Sequence, residues 1–565
     1  MHLTQRFLER LEQRQALPHN VLVSLRTSAG DDAQRFATMA VKDGHIERQL
    51  MGEMLAEETA HTYVSVNNTL LQPKLVLQLG ADAARRHRAI PLYRLGDVAT
   101  VAMADPRNEA SITAIAKRLG CPVSPVFSLE DEIEGAIRVH FETTQGIDNA
   151  VLALDLGRMA NANLDARSVQ ALVESEQMVK LGDSVIVLAL KDRASDIHIE
   201  PKKHELLVRF RVDGKLVDKL RLPGALARIL VSRFKVMSGL DITERRRPQD
   251  GRFNFSLPGV TVDLRVSTLP VMYGEKVVMR ILGPSVGGVS LDLDRLSLCS
   301  SVLTDFKRAL RQPSGILFVC GPTGSGKTTT LHAALAFLDS RDANIVTIED
   351  PVEYDVPTLN QVMVNESIGA GFPAVLRSVL RQDPDVILVG EIRDAETARI
   401  ATQAALTGHL VLTTLHTNDA VQASTRLLDM GVEAYAVAPA IVGVMSQRLV
   451  RRICVECRGE HRMTREELAE RFFIEPDAQI PVFYRGAGCD ACGGTGFRGR
   501  VAIHEFLHIS PRIRDAILRE EGHARIHEIA ASEGFQTMRE DGIRKAILGL
   551  TTLGEVFAAT SGDDL

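Results

Sequence analysis

The residues with the most explicit chemistry follow the apolar run "GILFVC": Gly321, Pro322, Thr323, Gly324, Ser325, Gly326, Lys327, Thr328 and Thr329. Gly321-x-x-x-x-Gly326-Lys327-Thr328 is a complete phosphate-loop pattern, with a strand expected before it and a helix after it. Its glycines let backbone N–H groups converge on phosphate oxygens, and a helix starting near Lys327 points its positive end at them. Lys327 then pairs with the β- and γ-phosphates and Thr328 ligates magnesium, so a nucleotide with Mg2+ is the expected ligand.

Hydrolysis needs carboxylates around the γ-phosphate as well. "NIVTIEDPVEY" places Glu349 and Asp350 at the end of one expected strand, with Glu353 shortly after, and "DVILVGEIRD" places Glu391 at the end of another. Strand ends are where doubly wound sheets present their ligands. A carboxylate there can complete the magnesium shell or orient the attacking water; capping the following helix is the structural alternative. "TGHLVLTTLHTNDA" sets His409 and His416 on either side of a strand. His416 falls at the nucleotide end and is expected to sense the γ-phosphate, whereas His409 reads as structural. Which of Glu349 and Glu391 acts as the base is left open by the sequence.

Four of the seven cysteines form Cys454-x-x-Cys457 and Cys489-x-x-Cys492. Four thiolates suit a closed tetrahedral zinc site, structural because no open position is evident. Cys121, Cys299 and Cys320 are isolated, and buried thiols are expected there.

These groups need several domains to position them, because 565 residues exceed one hydrophobic core. Residues 1–50 are polar, weakly patterned and unassigned. Residues 51–140 suggest a small α+β domain, 141–165 a linker, and 166–283 a sheet-plus-helix module with period-two alternation. Within that module 170–192 reads as one helix. The Gly/Ser-rich stretch 284–291 is a flexible joint, 292–450 a parallel sheet covered by helices, and 451–565 the cysteine subdomain with terminal helices. No run of about 18 apolar residues appears, so a membrane-spanning helix is not expected. The start "MHLTQRFLERLEQRQ" lacks a secretory apolar segment, which with the cysteine pattern predicts a cytoplasmic location.

In their order, these motifs resemble those of the type II/type IV secretion ATPases. "GPTGSGKTTTL", "VTIEDPVEY", "LRQDPDVILVGEIRD" and "TGHLVLTTLHTNDA" are similar to the family's Walker A, Asp-box, Walker B and His-box segments. "ASDIHIEP", "RRRPQDGR" and "LRVSTLPVMYGEKVVMR" resemble its middle domain, "GCDACGGTGFRGRVAIHE" its metal subdomain, and "GFQTMREDGIRKAILGLTTLGEV" its terminal helices. The resemblance implies an α/β protein with a RecA-like P-loop core, a PAS-like α+β middle domain, a small α+β N-terminal domain and a tetracysteine zinc subdomain. It implies a homohexamer that hydrolyses ATP to assemble a type II secretion pseudopilus or a type IV pilus. The implied partners are an inner-membrane platform protein and a membrane-anchored adaptor, which would hold the ring peripherally at that membrane.

Residue roles follow where motifs match. Arg265 in "LRVST" and Arg280 in "EKVVMR" would reach the phosphates from the middle domain, and Arg377, Arg381 and Arg393 would add charge from the core. Glu391 stands where the family's Walker B acid does, on magnesium. "AIPLYRLGDVATVAMADPRN" resembles the N-terminal domain of the secretion ATPases. The stretch before it carries no "RLG-x-x-L" segment of the kind found in cyclic-di-GMP-binding relatives, which argues against that ligand. A nucleic-acid translocase is the alternative class. Against it stand the net charge of -6 and an aromatic content of 4%. A nucleotide switch with little turnover is a third reading, opposed by the intact set Lys327, Glu349 and Glu391. Secretion, pilus assembly and DNA uptake share this motor, so the sequence does not choose among them.

Overall fold

The computed structural model describes residues 4–560 except 15, 68, 70, 142–150, 153, 155–165, 259, 283–290, 340–341 and 473–479. The expected linker at 141–165 and joint at 284–291 therefore lie almost wholly outside the described residues. The chain divides into two units, Met1–Val289 and Ser290–Leu565.

The first unit opens with four helices, Gln5–Gln13, His19–Ala29, Ala33–Lys42 and Arg48–Thr59. They pack around Phe7, Leu11, Phe36, Met51, Met54 and Leu55. The stretch expected to be weakly patterned therefore holds amphipathic helices, with Phe7, Leu8 and Leu11 buried on the first and Ala33, Phe36, Ala37 and Ala40 on the third. A three-stranded sheet follows, of β1 (Ala89–Leu95), β2 (Val98–Met103) and β3 (Val123–Phe127). β1 and β2 are antiparallel, β2 and β3 parallel, and the helix Glu109–Leu119 makes the crossover.

Next come two helices where one was expected, Ala166–Val173 and Glu176–Lys191. The break falls at Ser175, whose extended backbone and side chain cap the second helix through the N–H of Met178. The module's sheet is antiparallel, built from β4 (Ala194–Pro201), β5 (Glu205–Val212), β6 (Lys215–Pro223), β7 (Gln249–Leu257), β8 (Val260–Val271) and β9 (Gly274–Leu282). Its order is β6-β5-β4-β9-β8-β7. Asp213 and Gly214, with φ of 48° and 84°, form the two-residue turn that the strand twist favours between β5 and β6.

The second unit is built on a sheet of order β12-β11-β13-β14-β10-β15-β18. Its strands are β10 (Gly315–Cys320), β11 (Ile345–Glu349), β12 (Asn360–Met363), β13 (Val386–Val389), β14 (Leu410–Leu415), β15 (Ile441–Ile453) and β18 (Phe497–His508). All pairings are parallel except β15 with β18. Alternate residues of β10 enter different cores, Ile316 and Phe318 one, Leu317 and Val319 the other. A sheet covered on both faces needs this apolar run. β15 runs through residue 450, where the core was expected to end, and β18 returns to the sheet from beyond the cysteines. A small antiparallel pair, β16 (Arg458–His461) and β17 (Phe483–Gly486), lies between them in sequence.

In the first unit Glu132 is buried, and its carboxylate accepts from the Ser65 hydroxyl at 2.9 Å and the Tyr63 hydroxyl at 3.2 Å. Burial pushes its pKa from the ordinary 4.5 up to about 7, against the pull of Ser65 and Arg48. The folded chain thus keeps a proton that the unfolded chain releases. Stability from this group is complete below about pH 4.5 and lost as pH rises through about 7. Glu132→Gln is expected to flatten the fall in unfolding midpoint between about pH 5 and about pH 8. Identical slopes for the two proteins in thermal melts would show that Glu132 carries no such linkage.

Candidate active site and tetracysteine knuckle

Gly321 leaves β10 with φ +138°, in a passage too narrow for a side chain. A Cβ there would lie 2.5 Å from the Gln447 carbonyl oxygen and 2.7 Å from Ser325 Oγ. Gly326, with φ +92°, starts the helix Lys327–Leu338. The Lys327 ammonium donates to the carbonyls of Gly321 at 2.8 Å and Pro322 at 3.0 Å. Burial pushes its pKa down, while the Cys320 thiol and the Glu391 carboxylate favour its charge.

Gln447 on β15 braces the loop from outside the motif. Its amide nitrogen donates to the Ser325 carbonyl at 2.8 Å, and its amide oxygen accepts from the Thr330 hydroxyl at 2.9 Å. Spacing gave no hint of this residue; it emerges only from the pairing of β15 with β10, where Ser446 stands opposite Cys320.

Glu349 closes β11 and is buried. One oxygen accepts from the Thr347 hydroxyl at 2.7 Å and the Gln361 amide at 3.0 Å, and the other faces His332 Nε2 at 3.6 Å. The other nitrogen of His332 lies 3.0 Å from the carbonyl of Thr328, so a buried imidazole spans the gap between phosphate loop and carboxylate. His332 and Gln361 are further residues the motifs did not mark.

β13 and β14 pair in parallel with Val389 opposite Thr413, which brings Glu391 and His416 out at the same edge. His416 Nε2 lies 3.4 Å from Glu391, and Arg393 reaches the same carboxylate at 2.6 Å. His409, at the other end of β14, faces the carbonyl of Ala404 at 2.9 Å. Arg377 pairs with Glu396, and Arg381 turns back to the carbonyl of Arg377 at 2.8 Å. In the first unit Arg265 stands opposite Arg252 on β7 and Arg280 on β9. That row of exposed guanidiniums ends on Asp196, which takes Arg280 at 2.9 Å.

The thiols of Cys454, Cys457, Cys489 and Cys492 lie within 4.8 Å of one another. Three sulfur pairs stand at 3.8, 3.9 and 3.8 Å. Tetrahedral bonds of about 2.3 Å to one zinc ion set sulfurs about 3.8 Å apart, so the cluster is compatible with zinc. Burial opposes ionisation of Cys492, but the N–H groups of Cys489 and Gly496 prevail and bring its thiol down to about 6. A Cβ on Gly486 would fall 2.0 Å from the Gly496 carbonyl oxygen, so the knuckle closes only around glycine.

A mainly parallel sheet with a phosphate loop after the interior strand β10, and carboxylates at the ends of β11 and β13, defines a P-loop nucleotide-binding core. Residues 171–558 match the family model described as type II/IV secretion system protein, and residues 61–147 match the MshEN domain. The chain is 41% identical over 535 residues to the type IV pilus assembly ATPase PilB of Thermus thermophilus, covering 93% of this chain and 59% of that protein. It is 42% identical over 481 residues to the type II secretion system protein HxcR of Pseudomonas aeruginosa, covering 84% of this chain and 98% of the relative. The solved structure of the Yersinia pseudotuberculosis ATPase DotB, 20% identical, covers 69% of this chain and 95% of its own with a TM-score of 0.52, a likeness of fold. The chain belongs to the type II/IV secretion system protein family.

Gln447→Ala would leave the Ser325 carbonyl and the Thr330 hydroxyl without their partner. Each lost bond weakens the loop by about 1 kcal/mol, and ATP affinity is expected to fall about tenfold. Titration with a fluorescent nucleotide checks this; an unchanged dissociation constant would mean that the loop holds its shape without β15.

Proposed function

We propose that this chain is a motor ATPase that works as a homohexamer at the cytoplasmic face of an inner membrane. It hydrolyses ATP and drives a platform protein that assembles a type II secretion pseudopilus or a type IV pilus, with a membrane-anchored adaptor as a further partner. The observation that carries the reading is the convergence of Lys327, Glu391, Arg393 and His416 beside a complete phosphate loop, in a family whose cited relatives include a pilus assembly ATPase.

The backbone from Gly321 to Thr329 cradles the phosphates, and Lys327 exchanges its carbonyl partners for phosphate oxygens. Thr328 and Glu391 would hold magnesium, which would supply positive charge to stabilise the phosphates. Glu349, fixed by Thr347 and Gln361, orients the attacking water. His416 reports on the γ-phosphate through Glu391, and Arg377, Arg381 and Arg393 add positive charge from the core. Arg265 and Arg280 supply guanidiniums from the middle sheet. Like charges directly opposite on neighbouring strands repel; Arg280 is already held by Asp196, and an anionic ligand would relieve the remaining pair Arg252 and Arg265. The four cysteines hold a structural zinc ion.

Lys327→Ala and Glu391→Gln are each expected to abolish ATP turnover while leaving the circular dichroism spectrum intact. Wild-type turnover in both would defeat the motor assignment. Metal analysis of freshly purified protein is expected to find about one zinc per chain, lost on joint replacement of Cys454 and Cys457 by serine. Protein free of zinc from the outset would refute that site.

A further inference from the structure

Glu505 lies on β18 opposite Ser446, which itself stands opposite Cys320 at the mouth of the phosphate loop. It is buried. One carboxylate oxygen accepts the N–H of Ala420 at 2.7 Å, and the other accepts the N–H of Met538 at 3.0 Å. Ala420 ends the short loop that begins at His416, the imidazole facing Glu391. Met538 is the first residue of the helix Met538–Ile547, where a carboxylate meets the positive end of the helix.

Two further contacts tie the same loop to the C-terminal segment. Asp419 pairs with His523 at 3.2 Å. Arg448 donates to the carbonyl of Asn418 at 3.2 Å and to that of Ala559, in the last helix, at 3.1 Å. A carboxylate is the group this position needs: a buried charge is tolerated only when hydrogen-bonded, and the two backbone amides meet different oxygens, so an acceptor is required at both ends of the fork. An amide of the same shape would set a donor against one of them.

We propose that Glu505 is a positioning residue that clasps the His416–Ala420 loop to the C-terminal helices, so that the helices set where His416 stands against Glu391. The inference rests on reading His416 and Glu391 as part of an ATP-hydrolysing site. Coupling of this kind is reciprocal: nucleotide that moves His416 also moves the start of the helix Met538–Ile547.

The test uses the full chain and two readouts. In Glu505→Gln the amides of residues 416–421 are expected to exchange hydrogen about tenfold faster, with the phosphate loop unchanged. Its kcat is expected to fall about tenfold while KM for ATP stays within about twofold, because the phosphate contacts are untouched. Met538→Pro and Met538→Ala both remove the side chain, but only proline also removes the N–H held by Glu505. Proline is tolerated at the first helical position, and Thr537, with ψ 157°, suits a following proline. The proline variant is therefore expected to show the lower kcat and the faster exchange at 416–421. This pair carries the test should Glu505→Gln fail to fold. Wild-type exchange at 416–421 in Glu505→Gln, equal behaviour of the two Met538 variants, or faster exchange with unaltered kcat would each overturn the proposal. Failure of the ATPase reading itself would instead appear as turnover that survives Lys327→Ala.

Discussion

Where the chain leaves β10 it passes so close to β15 that residue 321 has to be glycine. The neighbouring strand then does more than exclude a side chain. Gln447 grips the Ser325 carbonyl and the Thr330 hydroxyl, on either side of Lys327, from a position 122 residues beyond Ser325. The shape of the phosphate loop is therefore held by the parallel register of two strands rather than by the loop alone. A loop preorganised in this way keeps its N–H groups converged before an anion arrives, and little ordering remains to be done on binding.

The same parallel register gathers the chemistry. β10, β11, β13 and β14 all end at one edge of the sheet, which collects Gly321, Glu349, Glu391 and His416 from distant parts of the chain. The two carboxylates have different surroundings. Glu349 is buried, held by the Thr347 hydroxyl and the Gln361 amide with the His332 imidazole 3.6 Å away, while Glu391 has Arg393 and His416 beside it and favours the charge on Lys327. Paired acids whose environments differ are suited to different tasks. The cation-rich surroundings of Glu391 fit a place at the phosphates and their metal ion. The rigid hydrogen-bonded setting of Glu349 fits the orientation of a water molecule.

Groups fixed by short spacings were legible in the sequence: the phosphate loop, the strand-end acids and the paired cysteines each announce themselves within a dozen residues. Gln447 and Glu505 did not, because their roles arise from pairings between β10, β15 and β18 that no local pattern encodes, and His332 did not because its partner Glu349 lies on β11. The first three helices fall in the stretch left unassigned, although Phe7, Leu8 and Leu11 on one and Phe36, Ala37 and Ala40 on another are buried at helical spacing. β18 lies outside the stretch expected to form the core because the cysteines interrupt the chain before it. Arg377 shows what a motif leaves out: its position in "LRSVLRQDPD" is matched, and its partner Glu396 lies outside that segment.

β18 also connects the two chemical centres of the second unit. It leaves the cysteine knuckle at Phe497 and, at about 3.4 Å per residue, reaches Glu505 about 27 Å further on. β15 runs alongside, carrying Gln447 and ending just before Cys454, whose N–H donates to the Gly496 carbonyl at 3.0 Å. The knuckle thus sits on the ends of the same two strands that brace the phosphate loop and clasp the His416 loop. Paired strands resist sliding, because a shift by one residue would exchange their buried and exposed faces. The pairing of β15 with β18, irregular only between Arg451 and Ile453, thus gives a hydrogen-bonded connection from the four-cysteine knuckle to the residues that brace the phosphate loop.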